Sequence, residues 1–199
     1  SLGRFGDRAI ASAQRLALQS GSAYPRMVAA GCQGIVATLR GNWTGMRLAH
    51  EEGERICKTL GLERSWEASF LRAYWALGEY YAGEPTRALA MLGELDSDDL
   101  ITRGMLGSYR GRALVLDGNL TAARAVSHEL AKTRAPGLSS IYRQVFEGEL
   151  ALAEHDWPRA RTIGEALARE ARTGWRAAGP AGCAMMGVLR GTAESGVGD

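Results

Sequence analysis

The sequence predicts an all-α protein in which helix pairs follow one another as a solenoid, with about ten helices in total. Three observations predict this fold class: a tight turn recurs at a nearly constant interval, small residues lie at fixed distances from that turn, and apolar residues repeat at helical spacing. Successive turns are 35, 42, 35, 37 and 36 residues apart. They are Gly6-Asp7, Gly41-Asn42, Gly83-Glu84, Gly118-Asn119, His155-Asp156 and Gly191-Thr192.

The turn residues explain how the two helices of a pair are joined. Glycine at the end of a first helix can adopt the left-handed conformation that stops the helix. The Asn or Asp that follows it caps the second helix by accepting a hydrogen bond from a free N–H group. Glu84 departs from this pattern, but Pro85 after it suits a first helical position. His155 replaces glycine, and we expect it to be left-handed at a cost of about 1 kcal/mol.

In chain order, the predicted elements are half a pair, four complete pairs and another half. A small residue lies seven positions before each later turn, where two helices cross closely, at Gly34, Ala76, Gly111, Gly148 and Ala184. An alanine follows most turns five positions later, at Ala11, Ala88, Ala123 and Ala160. We expect one repeat domain over residues 1–199, made of a second helix at 7–20, pairs at about 25–60, 66–95, 99–133 and 139–172, and a first helix at 177–190.

The composition argues against several classes of partner. The net charge is +2, from 24 basic and 22 acidic residues, which gives no electrostatic footprint for nucleic acid. No apolar run approaches the roughly 18–20 residues that a membrane helix needs. Three scattered cysteines without a C-x-x-C spacing favour a reducing, cytoplasmic location. Because the chain starts without Met and stops just after its sixth turn, we expect a fragment of a longer protein.

Candidate residues for chemistry are few. His50 and Cys57 are seven residues apart on one helical face, but a metal site needs more ligands at closer spacing, so we expect surface or capping roles. The paired acids at Glu51-Glu52 and Asp98-Asp99 are adjacent on a helix and point apart, which does not suit acid–base catalysis. No nucleophile elbow, P-loop or dinucleotide fingerprint occurs. We therefore predict no enzyme activity, no cofactor and no bound metal.

The pattern of small residue, turn and alanine resembles the tetratricopeptide repeat (TPR), and the resemblance covers essentially the whole chain. The small residues at Gly34, Ala76, Gly111, Gly148 and Ala184 match that family, as do the alanines of the second helices. The family's aromatic residue three positions after the small site is replaced by Ala37, Glu79, Leu114 and Ala151, and the unit is slightly longer than 34 residues. The resemblance implies a right-handed superhelix.

The longer, Ala-, Gly- and Arg-rich units look like the repeat arrays of large bacterial signalling proteins, such as STAND-type ATPase regulators of the maltose-regulator type and serine/threonine kinases with helical tails. The resemblance implies protein contact, effector sensing or self-assembly. It also places first helices along a concave face. The face would be lined by Phe70, Leu77, Tyr80, Met105, Arg112, Tyr142 and Glu149.

Two functions remain open at this point. The first is a non-catalytic interaction, scaffold or sensor module of a bacterial cytoplasmic signalling or transcriptional regulator, which binds a protein or peptide. The second is a sugar-sensor-like domain that binds a small effector and controls an adjacent ATPase, kinase or DNA-binding domain, with Arg112, Glu149 and Tyr142 as its polar groups. Incomplete pairs at the two ends would expose apolar flanks, which allows an end-to-end homodimer.

Overall fold

The structure, a computed structural model, describes residues 2–93, 95, 99–132 and 138–173. Every regular element in these ranges is an α-helix and no described residue lies in a strand, which confirms the all-α prediction. The predicted helix at 177–190 and the turn at Gly191-Thr192 lie outside the described residues. The helices of the described ranges are α1 Leu2–Gln19, α2 Ala23–Leu39, α3 Trp43–Leu60, α4 Trp66–Tyr81, α5 Pro85–Gly93, α6 Leu100–Leu116, α7 Leu120–Lys132, α8 Leu138–Ala153 and α9 Trp157–Thr173.

The predicted turn chemistry is confirmed at four turns. Gly41, Gly83 and Gly118 have φ angles of 67°, 81° and 78°, and His155 has a φ of 57°, so all four are left-handed. The Asn42 Oδ1 accepts a hydrogen bond from the Gly45 backbone N–H at 2.9 Å. Asn119 and Asp156 cap α7 and α9 in the same way. Each of these caps satisfies a donor that the first turn of a helix leaves open.

The predicted turn at Gly6-Asp7 is wrong. Helix α1 begins at Leu2 and continues through both residues without a break. Glycine costs only about 1 kcal/mol inside a helix and aspartate less, so these residues permit a turn without requiring one. The turns at Gly41, Gly118 and His155 differ because each one joins two helices that pack on each other.

The chain forms two compact units, Ser1–Met91 (unit 1) and Leu92–Asp199 (unit 2). In unit 1, α2 packs against α1, α3 and α4, and α3 also packs against α4. The buried residues Met27, Ile56, Cys57 and Ala68 form a core among α2, α3 and α4. Helix α2 is therefore held on three sides by other helices of its unit.

Unit 2 repeats this arrangement of contacts. Helix α6 packs against α7 and α8, and α8 packs against α7 and α9. Phe146 and Leu150 of α8 are buried together with Ala123 and Leu130 of α7. In both units, a first helix (α2 or α6) contacts the second helix of its own pair (α3 or α7) and the first helix of the next pair (α4 or α8). The second helix also contacts the first helix of the next pair.

Candidate functional site

The seven residues predicted to line one binding face lie in both units. Six of them occupy equivalent repeat positions, either 13 or six residues before the turn residue of their pair. Tyr80, the exception, is half-buried and its ring contacts that of Tyr81 at 5.2 Å. Each unit is a compact body of its own, and each contains part of the predicted face. The unit 1 residues are Phe70, Leu77 and Tyr80, and the unit 2 residues are Met105, Arg112, Tyr142 and Glu149.

The two charged members of the predicted face bind each other. Arg112 Nε donates to Glu149 Oε2 at 2.8 Å and Arg112 Nη2 donates to Glu149 Oε1 at 2.7 Å. The side chains are only 4% and 18% exposed. This forked geometry is the strongest form of an arginine–carboxylate contact. The two nominated charged groups therefore bind each other, and their contact with a ligand stays a prediction.

The apolar members of the predicted face in unit 2, Met105 and Tyr142, are buried and half-buried. The ring of Tyr142 on α8 meets the ring of Tyr109 on α6 edge-to-face, with centroids 5.3 Å apart. Tyr109 is 2% exposed and Met105 is 3% exposed. Met105 is therefore not part of an open surface, contrary to the prediction. The middle of the predicted face in unit 2 works as the contact between α6 and α8.

The unit 1 part of the face is open and aromatic. On α4, the ring of Phe70 stacks on that of Trp66 at 5.2 Å and contacts that of Tyr74 at 4.9 Å. Trp66 is 55% exposed, whereas Phe70, Tyr74 and Leu77 are half-buried. Spacing of four residues places these rings one above another along the helix. The result is a ladder of three aromatic rings with its N-terminal end in solvent.

Helix α2 carries a second apolar stripe, which the sequence analysis did not identify. Tyr24, Val28 and Leu39 are 44%, 43% and 62% exposed, Cys32 is exposed and Ile35 is half-buried. Their spacing of four, four, three and four residues keeps them on one side of the helix. Each of them precedes Gly41 by the same number of residues as one apolar residue of α4 precedes Gly83. Aligning the two repeats on their turn glycines would therefore have predicted the α2 stripe. The unit 1 stripe is defined as Tyr24, Val28, Cys32, Ile35 and Leu39 of α2 with Trp66, Phe70, Tyr74, Leu77 and Tyr81 of α4.

The two halves of the unit 1 stripe are adjacent at their N-terminal ends. Tyr24 Oη donates a hydrogen bond to Oε1 of Glu67, the neighbour of Trp66, at 3.4 Å. Helices α2 and α4 pack against each other along their lengths, because Gly31 leaves room for the side chain of Leu71. The stripe is therefore one surface that two packed helices share.

Beneath the stripe, the buried ring of Trp75 packs between α2 and α3. Trp75 of α4 is 1% exposed and fits between Gly34 of α2 and Gly53 of α3, where added Cβ atoms would lie 3.2 Å and 2.7 Å from the indole. The His50 ring stacks on the indole with centroids 4.1 Å apart. Burial lowers the pKa of His50, against the opposing effect of Glu54. His50 therefore has a packing role rather than the expected surface or capping role.

Ion pairs also join α3 to α4. Arg47 donates to both carboxylate oxygens of Glu79, at 3.0 and 2.8 Å, and Glu79 is 2% exposed. Burial raises the pKa of Glu79, but the hydrogen bonds and charge of Arg47 outweigh burial, and the net pKa is lowered. The Arg72 guanidinium binds Glu54, and this contact lowers the pKa of Glu54. The ionised carboxylates of buried Glu79 and half-buried Glu54 therefore join the two helices in one register.

The remaining candidates for chemistry are placed as follows. Cys57, expected at a surface or cap, is fully buried with its Sγ 3.2 Å from the Met27 Sδ. Within residues 2–93, 95, 99–132 and 138–173, no three His, Cys, Asp or Glu side chains come together as metal ligands would. Among the helices that the structure describes, none has the length and apolar character to cross a bilayer. The chain matches no protein-family model, no curated protein and no solved structure.

Proposed function

We propose that this chain is a non-catalytic interaction module whose unit 1 stripe binds an amphipathic helix of a partner protein. The module is a right-handed solenoid of TPR-like helix pairs and belongs to a bacterial cytoplasmic signalling or transcriptional regulator. The one observation that carries the proposal is that α2 and α4, which pack against each other, each carry a row of exposed and half-buried apolar side chains. Contiguous apolar surface of this kind marks protein-binding sites.

The helix contacts within each unit support the solenoid part of the proposal. In a stack of helix pairs, each first helix must contact its own partner and the next first helix, as α2 does with α3 and α4, and as α6 does with α7 and α8. Each pair then buries its apolar side against the next one, which is how repeat arrays gain stability.

The shape and chemistry of the stripe favour a helical ligand. From Tyr24 to Leu39 the α2 half is about 22 Å long, at about 1.5 Å per residue, and so spans about four turns of a bound helix. Apart from Cys32 its side chains are aliphatic or aromatic, and the hydrogen bond from Tyr24 to Glu67 lies at the end of the surface. An extended peptide needs backbone partners, which this surface lacks along its middle, whereas a helix satisfies its own backbone.

The test uses a display library of 16-residue helical peptides, selected on the full chain. Binding is followed by an environment-sensitive dye on Cys32, which is exposed and lies in the stripe, while Cys57 is fully buried and does not react in the folded protein. Cys183 is replaced by serine to leave one reactive site. We expect selected peptides with apolar residues at positions i, i+4, i+7 and i+11, and a blue-shifted dye on binding.

Two matched triple variants separate the stripe from general surface hydrophobicity. The variant Tyr24→Ser, Val28→Ser, Leu39→Ser removes the exposed α2 half, and the control Leu16→Ser, Leu18→Ser, Leu48→Ser changes three leucines that are 63%, 65% and 60% exposed elsewhere in unit 1. We expect at least about a tenfold weaker affinity for the stripe variant and no change for the control, with each substitution altering stability by less than about 0.5 kcal/mol. Peptides that bind both variants equally well would contradict the proposal.

Effector sensing is the competing function, and two of its three nominated residues, Arg112 and Glu149, bind each other. A pocket for a small effector needs open volume with a few convergent polar groups. A cleft of about 690 Å³ lined by residues of α6 and α7 in unit 2 has the volume of such a pocket, and on that ground effector binding stays a second candidate function.

A further inference from the structure

A pocket of about 360 Å³ lies in unit 1, where side chains of α3, α4 and α5 meet. Its volume falls within the range of about 300–1,000 Å³ that is usual for small-molecule sites. No residue that lines it belongs to the unit 1 stripe, so the pocket is a separate surface of the same unit. Helix α3 contributes three polar side chains to the lining, α4 contributes the buried Glu79, and α5 contributes one arginine and an apolar patch.

The buried charge in the pocket is already neutralised. Glu79 is 2% exposed and accepts hydrogen bonds from Arg47 at 3.0 and 2.8 Å. The Arg87 guanidinium lies 4.0 Å from the same carboxylate, which is too far for a hydrogen bond. Glu84, in the turn between α4 and α5, adds a negative charge on the Arg47 side. The Arg47–Glu79 pair therefore closes one side of the pocket without a net charge of its own.

Two opposite charges remain on the two helices that form the walls. Glu51 of α3 is exposed, and among the described residues no donor binds its carboxylate. Arg87 of α5 has a side chain that is 57% exposed, and its long contact with Glu79 leaves its N–H donors available. The pocket therefore presents a carboxylate from α3 and a guanidinium from α5.

The other lining groups are a neutral imidazole and an apolar patch. One face of His50 stacks on Trp75, and burial lowers the pKa of His50, so the imidazole is neutral near pH 7. A neutral imidazole offers one donor and one acceptor. Ala90 and Met91 follow Arg87 by three and four residues, which places them on the same side of α5 as the guanidinium.

We propose that this pocket binds a small zwitterion with an apolar body, such as a free aliphatic amino acid. The carboxylate of the ligand would contact Arg87, because a guanidinium makes two-point contacts with carboxylates. Its ammonium group would contact Glu51, and its apolar side chain would lie on Met91. A ligand with a single charge fits less well, because an anion also meets Glu51 and Glu84 and a cation also meets Arg87.

This inference concerns a different surface from the unit 1 stripe, so the two proposals succeed or fail separately. The probe is L-leucine, with N-acetyl-L-leucine as the counterpart that keeps only the carboxylate and L-leucinamide as the one that keeps only the ammonium group. Binding to the full chain is measured by isothermal titration calorimetry at about pH 7. We expect L-leucine to bind at least about tenfold more tightly than either counterpart, because each counterpart lacks one charged contact.

Two variants at exposed pocket residues test the two charges separately. Glu51→Gln removes the carboxylate, and Arg87→Gln removes the guanidinium. The matched controls are Glu63→Gln and Arg64→Gln, at exposed residues of unit 1 outside the pocket. We expect each pocket variant to bind L-leucine at least about tenfold more weakly than the unmodified chain does, and each control to stay within about twofold.

The single-charge counterparts show which contact each variant has lost. Glu51→Gln should not weaken the binding of N-acetyl-L-leucine, because that ligand has no ammonium group. Arg87→Gln should not weaken the binding of L-leucinamide, because that ligand has no carboxylate. A change in the shape of the pocket would weaken both counterparts, so this pattern separates a lost charge from a damaged site.

Three results would overturn the inference. The first is that L-leucine does not bind. The second is that N-acetyl-L-leucine or L-leucinamide binds as tightly as L-leucine, which means that the pocket does not use both charges. The third is that the control variants weaken L-leucine as much as the pocket variants do, which means that net charge rather than the pocket attracts the ligand. Far-UV circular dichroism of each variant confirms that it is folded.

Discussion

Units 1 and 2 use the same repeat positions for opposite purposes. Six residues before the turn, unit 1 has Ile35 and Leu77, which belong to an open apolar surface, whereas unit 2 has Arg112 and Glu149, which bind each other between α6 and α8. The backbone plan is the same in both units. The difference teaches that the side chain at one repeat position decides whether a surface is available to a partner or is used up within the unit.

Beneath these surfaces the two units are alike. Gly34 of α2 makes room for the ring of Trp75, and the equivalent Gly111 of α6 makes room for the ring of Phe146. Both rings are almost fully buried. In each unit, therefore, a buried aromatic ring of one first helix packs against a glycine of the preceding first helix. The two units share this packing and differ in the side chains at the repeat positions that form the unit 1 stripe.

The largest expected effect on stability comes from breaking the ion pair between Arg112 and Glu149 in unit 2. Arg112→Met keeps an unbranched apolar stem but removes the guanidinium that binds Glu149, whose side chain is only 18% exposed. We expect a loss of about 3 kcal/mol in the free energy of unfolding, measured by urea denaturation. The equivalent Ile35→Met in unit 1 conserves volume at a half-buried site, and we expect a change below about 1 kcal/mol.

The double variant Arg112→Met, Glu149→Leu separates charge from packing. It gives unit 2 the apolar chemistry of unit 1 and leaves no unpaired charge, so we expect stability to return to within about 1 kcal/mol of the unmodified protein. If the double variant is as unstable as Arg112→Met, the ion pair matters through its packing and the contrast between the units is wrong.

A smaller effect is expected from filling the shared glycine positions. A Cβ at Gly111 would lie 2.4 Å from the Phe146 ring, and a Cβ at Gly34 would lie 3.2 Å from the nearest atom of Trp75. Overpacking costs about 1–3 kcal/mol, while alanine gains about 1 kcal/mol over glycine in a helix. We therefore expect Gly111→Ala to destabilise by about 1–2 kcal/mol and Gly34→Ala to be nearly neutral.

Amide hydrogen exchange followed by mass spectrometry can assign each loss to its unit. Gly111→Ala should raise exchange in α6 and α8 and leave α2 and α4 unchanged. Equal destabilisation by the two substitutions would mean that the aromatic rings do not fit their glycines as the distances indicate.

The smallest effect distinguishes the units by pH. Burial lowers the pKa of His50 below its usual 6.5, and the equivalent residue in unit 2 is Ser127. Because the unfolded chain binds a proton more readily than folded His50, stability is full above about pH 6.5 and falls as the pH drops from there toward the lower folded pKa. The lowered pKa values of Glu54 and Glu79 add a separate loss, which begins below about pH 4.5.

Urea denaturation at about pH 7.5 and about pH 5.5 measures this difference. His50→Gln should reduce the loss of stability between the two pH values, whereas His128→Gln, at an exposed residue of unit 2, should leave it unchanged. If His50→Gln loses as much stability between the two pH values as the unmodified protein does, the burial of His50 against Trp75 is not a source of the pH dependence.

Much of the local structure could be predicted from the sequence, because local interactions determine it. Gly41, Gly83 and Gly118 stop their helices and Asn42 caps the next one through contacts within a few residues. Even the left-handed His155 follows from its position in the repeat. The error at Gly6-Asp7 has the same origin: the residues permit a turn, but whether a turn forms depends on what packs around it.

The candidate site was only partly predictable. Six of the seven predicted residues occupy repeat positions that the unit 1 stripe also uses. Sequence reasoning did not find the α2 half of the stripe or the partners of the charged residues. Arg112 and Glu149 are 37 residues apart, and their contact depends on the register in which α6 and α8 pack. Periodicity gives the face of a helix on which a residue lies, but not what lies opposite that face.

The sequence alone determined that this chain is helical, where four of its turns lie and which residues are small enough for helices to cross, because those properties depend on neighbours along the chain. Only the tertiary structure decided which stripe is exposed and which is closed. That outcome depends on contacts between residues far apart in sequence, where a pair of opposite charges closes one surface and its apolar counterpart stays open.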